Sequence, residues 1–345
     1  MKILHIANTD HYSGGENVIC QIISLFVEDK NVEMAYVSPD GQIRDALKER
    51  NIRFIPVKEM SRKELKAVFE KEKPDVVHAH DMKASLIAAL ACKNSRLVVH
   101  LHNNEYANRT ISKKSLSFLI PAKKAKHIFY VSKSAHDGYF FHKWFERKSS
   151  VLYNVIDTSA LEKKMSLDSK TYDYDVVYLG RLTYPKNPIR LLKVLRKVAD
   201  VYPDFKTALV GTGEMEDEVR KAWEEMGLQK NVDLLGFQSN PLKIVKDAKL
   251  MLMTSRWEGT PMCALESFAM GTPIVSTPTD GLVDLIDEGE TGFLSDNDDV
   301  LVEKIVSLIK NRELRAKMSE YCLRKSAKIN DLKEYKQAIS KAYFG

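Results

Sequence analysis

No stretch of this chain approaches the ~20 consecutive apolar residues that a membrane-spanning helix needs, so no such helix is expected. No charged segment followed by a long apolar one opens the sequence, and no leader is expected there. Cysteine is scarce. Cys20, Cys92, Cys263 and Cys322 lie far apart without a C-x-x-C, which offers neither a zinc ribbon nor a disulfide framework and suits a reducing cytoplasm. No short period recurs and no segment is of low complexity, which sets solenoids aside. Neither sign of charge is in large excess. A net charge of +6 over 345 residues is too weak to imply nucleic acid, yet it is compatible with a phosphorylated substrate or an anionic membrane surface.

What the chain does have is apolar residues in quantity, 44% against 29% charged. That is enough for a sizeable core, and at roughly 150 residues per domain the length suggests two domains. Short Val- and Ile-rich runs (KILHIA, VEMAYVS, RFIPV, DVVHAH, RLVVHLH, HIFYVS, SSVLYNVI) alternate with amphipathic segments such as ENVICQIISLFVE and SRKELKAVFEKE. This is the pattern of a parallel sheet covered by helices on both faces. Residues 157–173 are polar and read as a linker. The alternation then restarts from YDVVYLGR, runs through KTALVG, VDLLGF, KLMLMTS, TPIVSTP and GFLS, and ends in helices at about 299–311 and 312–342. We therefore expect an α/β chain of two doubly wound parallel-sheet domains, with ligands at the carboxyl ends of the strands and in the cleft where the domains face each other.

Several strand-end residues could carry chemistry. Gly14 and Gly15 follow the first strand and precede a helix, where backbone N–H groups can approach an anion; a plain turn needing positive φ is the competing reading. His100 and His102 share one face of a strand, and His102 is the better candidate because it is nearer the carboxyl end, where ligands bind; a buried, hydrogen-bonded histidine is the competing reading, and it applies more strongly to His78 and His80, which end another strand. Arg181 and Lys186, five residues apart on a strand-end loop, can converge on a polyphosphate. Gly211 and Gly213 form a G-x-G without the third glycine of a dinucleotide fingerprint, since Glu216 stands there, and read as a tight turn beside a ligand. Two acidic triplets, Asp173-Tyr174-Asp175 and Asp296-Asn297-Asp298, are read as a strand entry and a helix cap, not as a metal site. Cys263 lies near a helix start, where thiol pKa values fall, but no histidine in its motif could act as base. In WEGTPMCALE, Glu258 and Glu266 bracket a turn and a helix start, with Thr260 and Pro261 suited to the cap and first turn.

Together these segments resemble the retaining glycosyltransferases of family 4, which have the two-domain GT-B fold. EGTPMCALESFAMGTPIVST matches the family's E-x7-E motif, GRLTYPKNP the segment with its Arg and Lys, SGGEN the N-terminal glycine loop, VVHLHN the strand ending in a sugar-contacting His, and TPTDGLVDLIDEGETGFL the region that follows. The resemblance covers essentially the whole chain. It implies an N-terminal acceptor-side domain at 1–160, a nucleotide-sugar domain at 161–325, and a C-terminal helix at 326–345 crossing back to the first. By that resemblance Arg181, Lys186, Gly14, Gly15 and the helix start at Thr260, Met262 and Cys263 hold the donor diphosphate. Glu266 takes the ribose, Phe237 lies by the base, and Glu258 and His102 contact the transferred sugar. One departure stands out: Asn154-Val155-Ile156-Asp157 replaces the usual Asn-Gly-Val-Asp and changes turn freedom near the hinge.

The activity implied is transfer of a sugar from a nucleotide sugar, UDP by family habit, to a glycan or polyprenyl-linked acceptor with retention of configuration. No cofactor and no metal are expected, because Arg181, Lys186 and a helix N-terminus can stabilise the departing diphosphate. The other readings are a nucleotide-sugar 2-epimerase, a glycan phosphorylase on the same fold, or a catalytically silent sugar-nucleotide-binding subunit. Residues 111–150 carry nine Lys or Arg against Asp137 and Glu146, interleaved with Phe118, Tyr139, Phe140, Phe141, Trp144 and Phe145. That composition suits docking on an anionic membrane, here the inner face of the plasma membrane, or else a helix with one apolar face.

Overall fold

The computed structural model describes residues 1–102 and 108–345. It separates into two α/β units: Met1–Asn154 with Leu332–Gly345, and Val155–Asp331. These limits differ from the expected 160/161 and 325/326 for local reasons. The stretch 157–173 is not a bare linker. It holds a helix, Thr158–Met165, whose N-cap Asp157 accepts from the Ala160 N–H at 3.0 Å. No residue of that helix is buried, so no apolar stripe betrays it. The helix expected over 312–342 is two, Arg312–Ile329 and Leu332–Phe344. Asn330 breaks it by donating to the Ser326 carbonyl at 2.9 Å and accepting from the Ile156 N–H at 2.9 Å. That second bond anchors the segment in which Val155 and Ile156 replace the more pliant family sequence, and both of those residues are buried.

In the first unit the strands are β1 (Lys2–Ile6), β2 (Glu33–Pro39), β3 (Phe54–Val57), β4 (Val76–Ala79), β5 (Arg96–Leu101), β6 (His127–Tyr130) and β7 (Ser149–Val151). They pair in parallel in the order β3-β2-β1-β4-β5-β6-β7. In the second unit β8 (Val176–Leu179), β9 (Thr207–Val210), β10 (Val232–Gly236), β11 (Leu250–Met253), β12 (Ile274–Ser276) and β13 (Gly292–Leu294) pair in parallel as β10-β9-β8-β11-β12-β13. Every residue of β4, β9 and β11 is buried, as expected of strands with helices on both faces. In each sheet the connections reverse direction once, between β1 and β4 and between β8 and β11. Such switch points are where doubly wound sheets bind ligands, because the diverging loops leave a crevice.

The helix Leu332–Phe344 completes the first unit. Tyr335, Ile339, Ala342 and Tyr343 form one buried stripe at helical spacing, packed on the helix Gly14–Leu25 and on β5. Lys336 pairs with Asp29 at 2.9 Å. Residues 111–150 are not a single amphipathic helix but three short ones, Lys113–Ser117, Leu119–Lys124 and Lys133–Gly138, the first and third capped by Ser112 and Ser132. Six of the eight aromatics there, Phe118, Phe129, Tyr130, Tyr139, Phe141 and Phe145, belong to the core; Phe140 and Trp144 are exposed.

Backbone contacts stitch the strand ends of the second unit together. Gly180 N–H donates to Val210 O at 3.1 Å, Leu182 N–H to Thr212 O at 2.9 Å and Gly211 N–H to Gly236 O at 2.8 Å. Gly211 has φ +137°, and a Cβ there would lie 1.9 Å from the Gly180 carbonyl oxygen. The G-x-G is thus a close approach of two loops. We expect Gly211→Ala to lower unfolding free energy by about 2–4 kcal/mol, from backbone strain plus overpacking; an unchanged denaturation midpoint would show that the loops part without cost.

Candidate active site

The second switch point is assembled from two loops, 180–187 after β8 and 254–261 after β11. Tyr178 donates its hydroxyl to the Arg181 carbonyl at 2.9 Å and holds the first loop at its exit from the sheet. A 3-10 turn, Tyr184–Lys186, leads into Asn187 at φ 52° and then the helix Pro188–Val201, with proline at its first position where no N–H is needed. Three contacts tie the second loop to the first: Thr254 Oγ1 to Asn187 O at 3.1 Å, the Arg256 N–H to Pro185 O at 2.7 Å, and the Arg256 guanidinium to Asn187 Oδ1 at 3.1 Å. The same guanidinium lies 4.4 Å from the centre of the Tyr184 ring.

These ties set Lys186 Nζ 2.5 Å from Glu258 Oε1, and Ser255 Oγ donates to the same oxygen at 2.6 Å. Both charged side chains are largely out of water, 19% and 8% exposed, so each depends on the other. Burial works against the lysine's charge, but the Glu258 carboxylate outweighs it and holds the ammonium above its ordinary value. The side chain of Arg181, an exposed residue, makes no hydrogen bond or ion pair among the described residues, which leaves its guanidinium free to meet an anion. Gly281 packs its backbone on the same loop: a Cβ there would fall 1.3 Å from Gly259 O.

The helix Met262–Ala269 starts beside this pair. Its N-cap is Pro261, not Thr260, and no side chain caps it. Thr260 is buried one position earlier. Proline offers no side-chain acceptor, so the amides of Met262 and Cys263 begin the helix with no intrahelical carbonyl to bind. Cys263 departs from the low thiol pKa that a helix start favours: burial pushes it up to about 12, against the pull of Lys186, and the thiol stays neutral. Glu266, one turn on, is raised by burial to about 7, with Lys164 pulling the other way. Phe237 follows Gly236 (φ 63°) and is exposed.

In the first unit, Gly14 and Gly15 are the first two residues of a helix whose N-cap is Ser13. Neither has positive φ, so the plain-turn reading fails, and a Cβ at Gly15 would meet nothing within 4 Å. His102 lies just past β5 and is partly buried. Its Nε2 is 3.0 Å from His80 Nδ1. Ser255, Thr254, Gly281 and His5 were not singled out from the sequence. For His5 a signal was available, since β1, β4 and β5 each carry histidine near their carboxyl ends.

Two family models meet at residue 160. "Glycosyltransferase Family 4" matches residues 13–160 and "Glycosyl transferases group 1" matches residues 160–324. The chain belongs to the family 4-type glycosyltransferases. An Escherichia coli UDP-Gal:alpha-D-GlcNAc-diphosphoundecaprenol alpha-1,3-galactosyltransferase is 23% identical over 94% of this chain and 92% of that protein. An uncharacterised glycosyltransferase of Methanocaldococcus jannaschii is 26% identical over 59% of this chain and 56% of its own length. This chain spans about half the length of several of the curated relatives it matches. The crystal structure of Anabaena HepE in complex with UDP-glucose has the same fold, with a TM-score of 0.85 at 20% identity, covering 99% of this chain and 98% of that one. No helix among the described residues of this glycosyltransferase is long and apolar enough to cross a membrane.

Lys186→Met leaves Glu258 with Ser255 alone. We expect a loss of about 1–3 kcal/mol at pH 7 by chemical denaturation. Because folding raises the Lys186 pKa, its stabilisation is complete below the ordinary value of 10.5 and is lost as pH climbs through the higher folded value. The gap between wild type and variant should hold from pH 7 to 9 and narrow only above that range; a gap that vanishes by pH 9 contradicts the pairing.

Proposed function

We propose that this glycosyltransferase moves a sugar from a UDP-sugar to a lipid-linked or glycan acceptor, with retention of configuration and without a metal. The observation that carries the reading is the Lys186–Glu258 pair, set beside an uncapped helix start and the unpartnered Arg181. In this reading Arg181, Lys186, the Met262 and Cys263 amides with Thr260, and Gly14 and Gly15 take the diphosphate. Glu266 accepts from the ribose hydroxyls, and the backbone at Phe237 lies by the base. Glu258 and His102 contact the sugar. UDP as the nucleotide draws support from the HepE complex and from the name of the E. coli relative, which also supports a polyprenyl diphosphate acceptor.

Transfer breaks the bond between the sugar carbon and a diphosphate oxygen, through a transition state with oxocarbenium character. Charge grows on the diphosphate, where fixed cations and amides stabilise it without reorganising. Glu258 Oε1 already accepts from Lys186 and Ser255, and a carboxylate so engaged is a poor nucleophile. This favours same-face transfer: the diphosphate oxygen takes the acceptor hydroxyl's proton as the new C–O bond forms on the side the old one leaves. The acidic triplets are engaged elsewhere. Asp296 and Asp298 bind Arg190 at 2.7 and 2.9 Å, and Asp175 binds Lys249 at 2.6 Å. That supports stabilisation of the diphosphate by the protein's own cations.

Turnover of a UDP-sugar panel with polyprenyl-diphosphate and glycan acceptors in EDTA should give products of unchanged anomeric configuration by NMR. An inverted product, or a requirement for added divalent ion, contradicts those two parts of the reading. The Glu266 carboxylate is the form that accepts from ribose, so UDP affinity measured by calorimetry should climb with pH to about 7 and then level off. Glu266→Gln should flatten that profile.

The segment 111–150 is read as a membrane-facing surface that docks at the inner face of the plasma membrane. Ile111, Leu116, Ile120, Phe140 and Trp144 are exposed, Trp144 by 67%, among exposed Lys113, Lys123, Lys126, Lys143 and Arg147. Wedges of this kind combine apolar insertion with attraction to anionic headgroups. Sedimentation with phosphatidylglycerol vesicles at low salt should carry the protein down and phosphatidylcholine vesicles should not; Trp144→Ala and Lys143→Glu should each weaken it. Equal binding to both lipids, or none to either, refutes the docking.

A further inference from the structure

Among the described residues the first switch point holds no ion pair of the Lys186–Glu258 kind. It holds imidazoles. His5 on β1, His78 on β4, His80 just past β4, His100 on β5 and His102 just past it lie on three adjacent parallel strands, with His5 opposite His78 in register. Alternation points all five to one face. His5, His78 and His100 are fully buried and His80 is 3% exposed. Neighbouring rings lie 4.1 Å apart for His78 and His80 and 4.2 Å apart for His100 and His102. Burial lowers the pKa of every one, to about 3 for His5 and about 4 for His102, so all are neutral at physiological pH.

Two contacts define a path through the cluster. His5 Nδ1 lies 2.9 Å from His80 Nε2, and His80 Nδ1 lies 3.0 Å from His102 Nε2. His78 is tied off separately, its Nδ1 2.7 Å from the Tyr343 hydroxyl. A neutral imidazole has one N–H and one lone pair. His80 uses both nitrogens, so it donates to one neighbour and accepts from the other. Only two arrangements satisfy both contacts. Either all three rings carry the proton on Nδ1, with His5 donating to His80 and His80 to His102, or all three carry it on Nε2, with the direction reversed. Any mixture puts two protons, or two lone pairs, face to face across about 3 Å.

We propose that His5 and His80 are positioning residues that lock the tautomer and ring orientation of His102, leaving its Nδ1 as the one nitrogen it offers to the transferred sugar. This rests on the reading above that His102 meets the sugar. A sugar hydroxyl both donates and accepts, so either arrangement serves it, but the lock makes the choice collective. His102 Nδ1 is buried and has no hydrogen-bond partner among the described residues, and His5 Nε2 at the other end of the ladder is the same, as the two ends of such a ladder require. A shared metal is the rival. His5, His78 and His80, and likewise His80, His100 and His102, bring ring nitrogens within 4.8 Å of one another. Ligands of one zinc aim their lone pairs at a common point ~2.0–2.1 Å away. Here Nδ1 of one ring faces Nε2 of the next at a distance that fits a single shared proton.

The deciding measurement is a two-bond nitrogen–proton NMR correlation on the full chain labelled with 15N-histidine, assigned with single His→Phe variants, beside elemental analysis of the same sample. We expect His5, His80 and His102 to be neutral and to share one tautomer, with no stoichiometric metal. Different tautomers among the three, or zinc whose removal shifts their signals, overturns the ladder. Kinetics supply a second readout. His80→Leu should cut kcat on the order of 10–100-fold by freeing His102, with UDP affinity unchanged. His80→Gln, which can donate and accept at once, should recover much of the loss. A His80→Leu enzyme that folds and keeps wild-type kcat refutes the positioning role. Should the wild type transfer no sugar at all, the functional reading fails while the NMR result still decides the ladder.

Discussion

An ammonium and a carboxylate 2.5 Å apart, both mostly withdrawn from water, are what the second unit's switch point depends on. Either charge alone in that place would be unaffordable, because its lost hydration is made good only by the other. The rest of the local structure serves to deliver them: Tyr178 fixes one loop, Thr254 and Arg256 fasten the second to it, and Gly281 keeps a third close enough to fill the space behind. Because the pair is neutral as a unit, Arg181 and the helix amides are the part of the site with unspent positive potential.

The two switch points solve one topological problem with opposite electrostatics. The second sheet ends in a paired charge. The first ends in five histidines, all uncharged, which keep donor and acceptor capacity where a full charge would be too costly.

Much of this was legible in the sequence. Buried parallel strands leave continuous Val and Ile runs, so the strands and both sheets could be read directly. Arg181 and Lys186 stood out by their place on a strand-end loop, and Glu258 and Glu266 by bracketing a turn and a helix start in a segment that resembles the family motif. What escaped has physical reasons. Lys186 and Glu258 are far apart in the chain, and only the adjacency of β8 and β11 makes them partners. Thr260 is the better cap by preference, yet the chain turns helical one residue later, at a proline that leaves the amides bare. The helix Thr158–Met165 buries nothing, and those of 111–150 are too short to show a helical period. There, too, composition misled: most of the aromatics that suggested a membrane surface are core, and the exposed apolar set includes aliphatics the composition did not mark.

The helix Leu332–Phe344 belongs to the first unit although the whole second unit precedes it in the chain. A ribosome would therefore release Val155–Asp331, a continuous segment, in full before the first unit receives its last element. Until then β5 and the helix Gly14–Leu25 lack the stripe of Tyr335, Ile339 and Tyr343, and His78 lacks the Tyr343 hydroxyl. Domains made from N-terminal segments ordinarily finish first during synthesis. Here the order of completion is inverted, and the earliest-made sheet waits longest with its imidazole face uncovered.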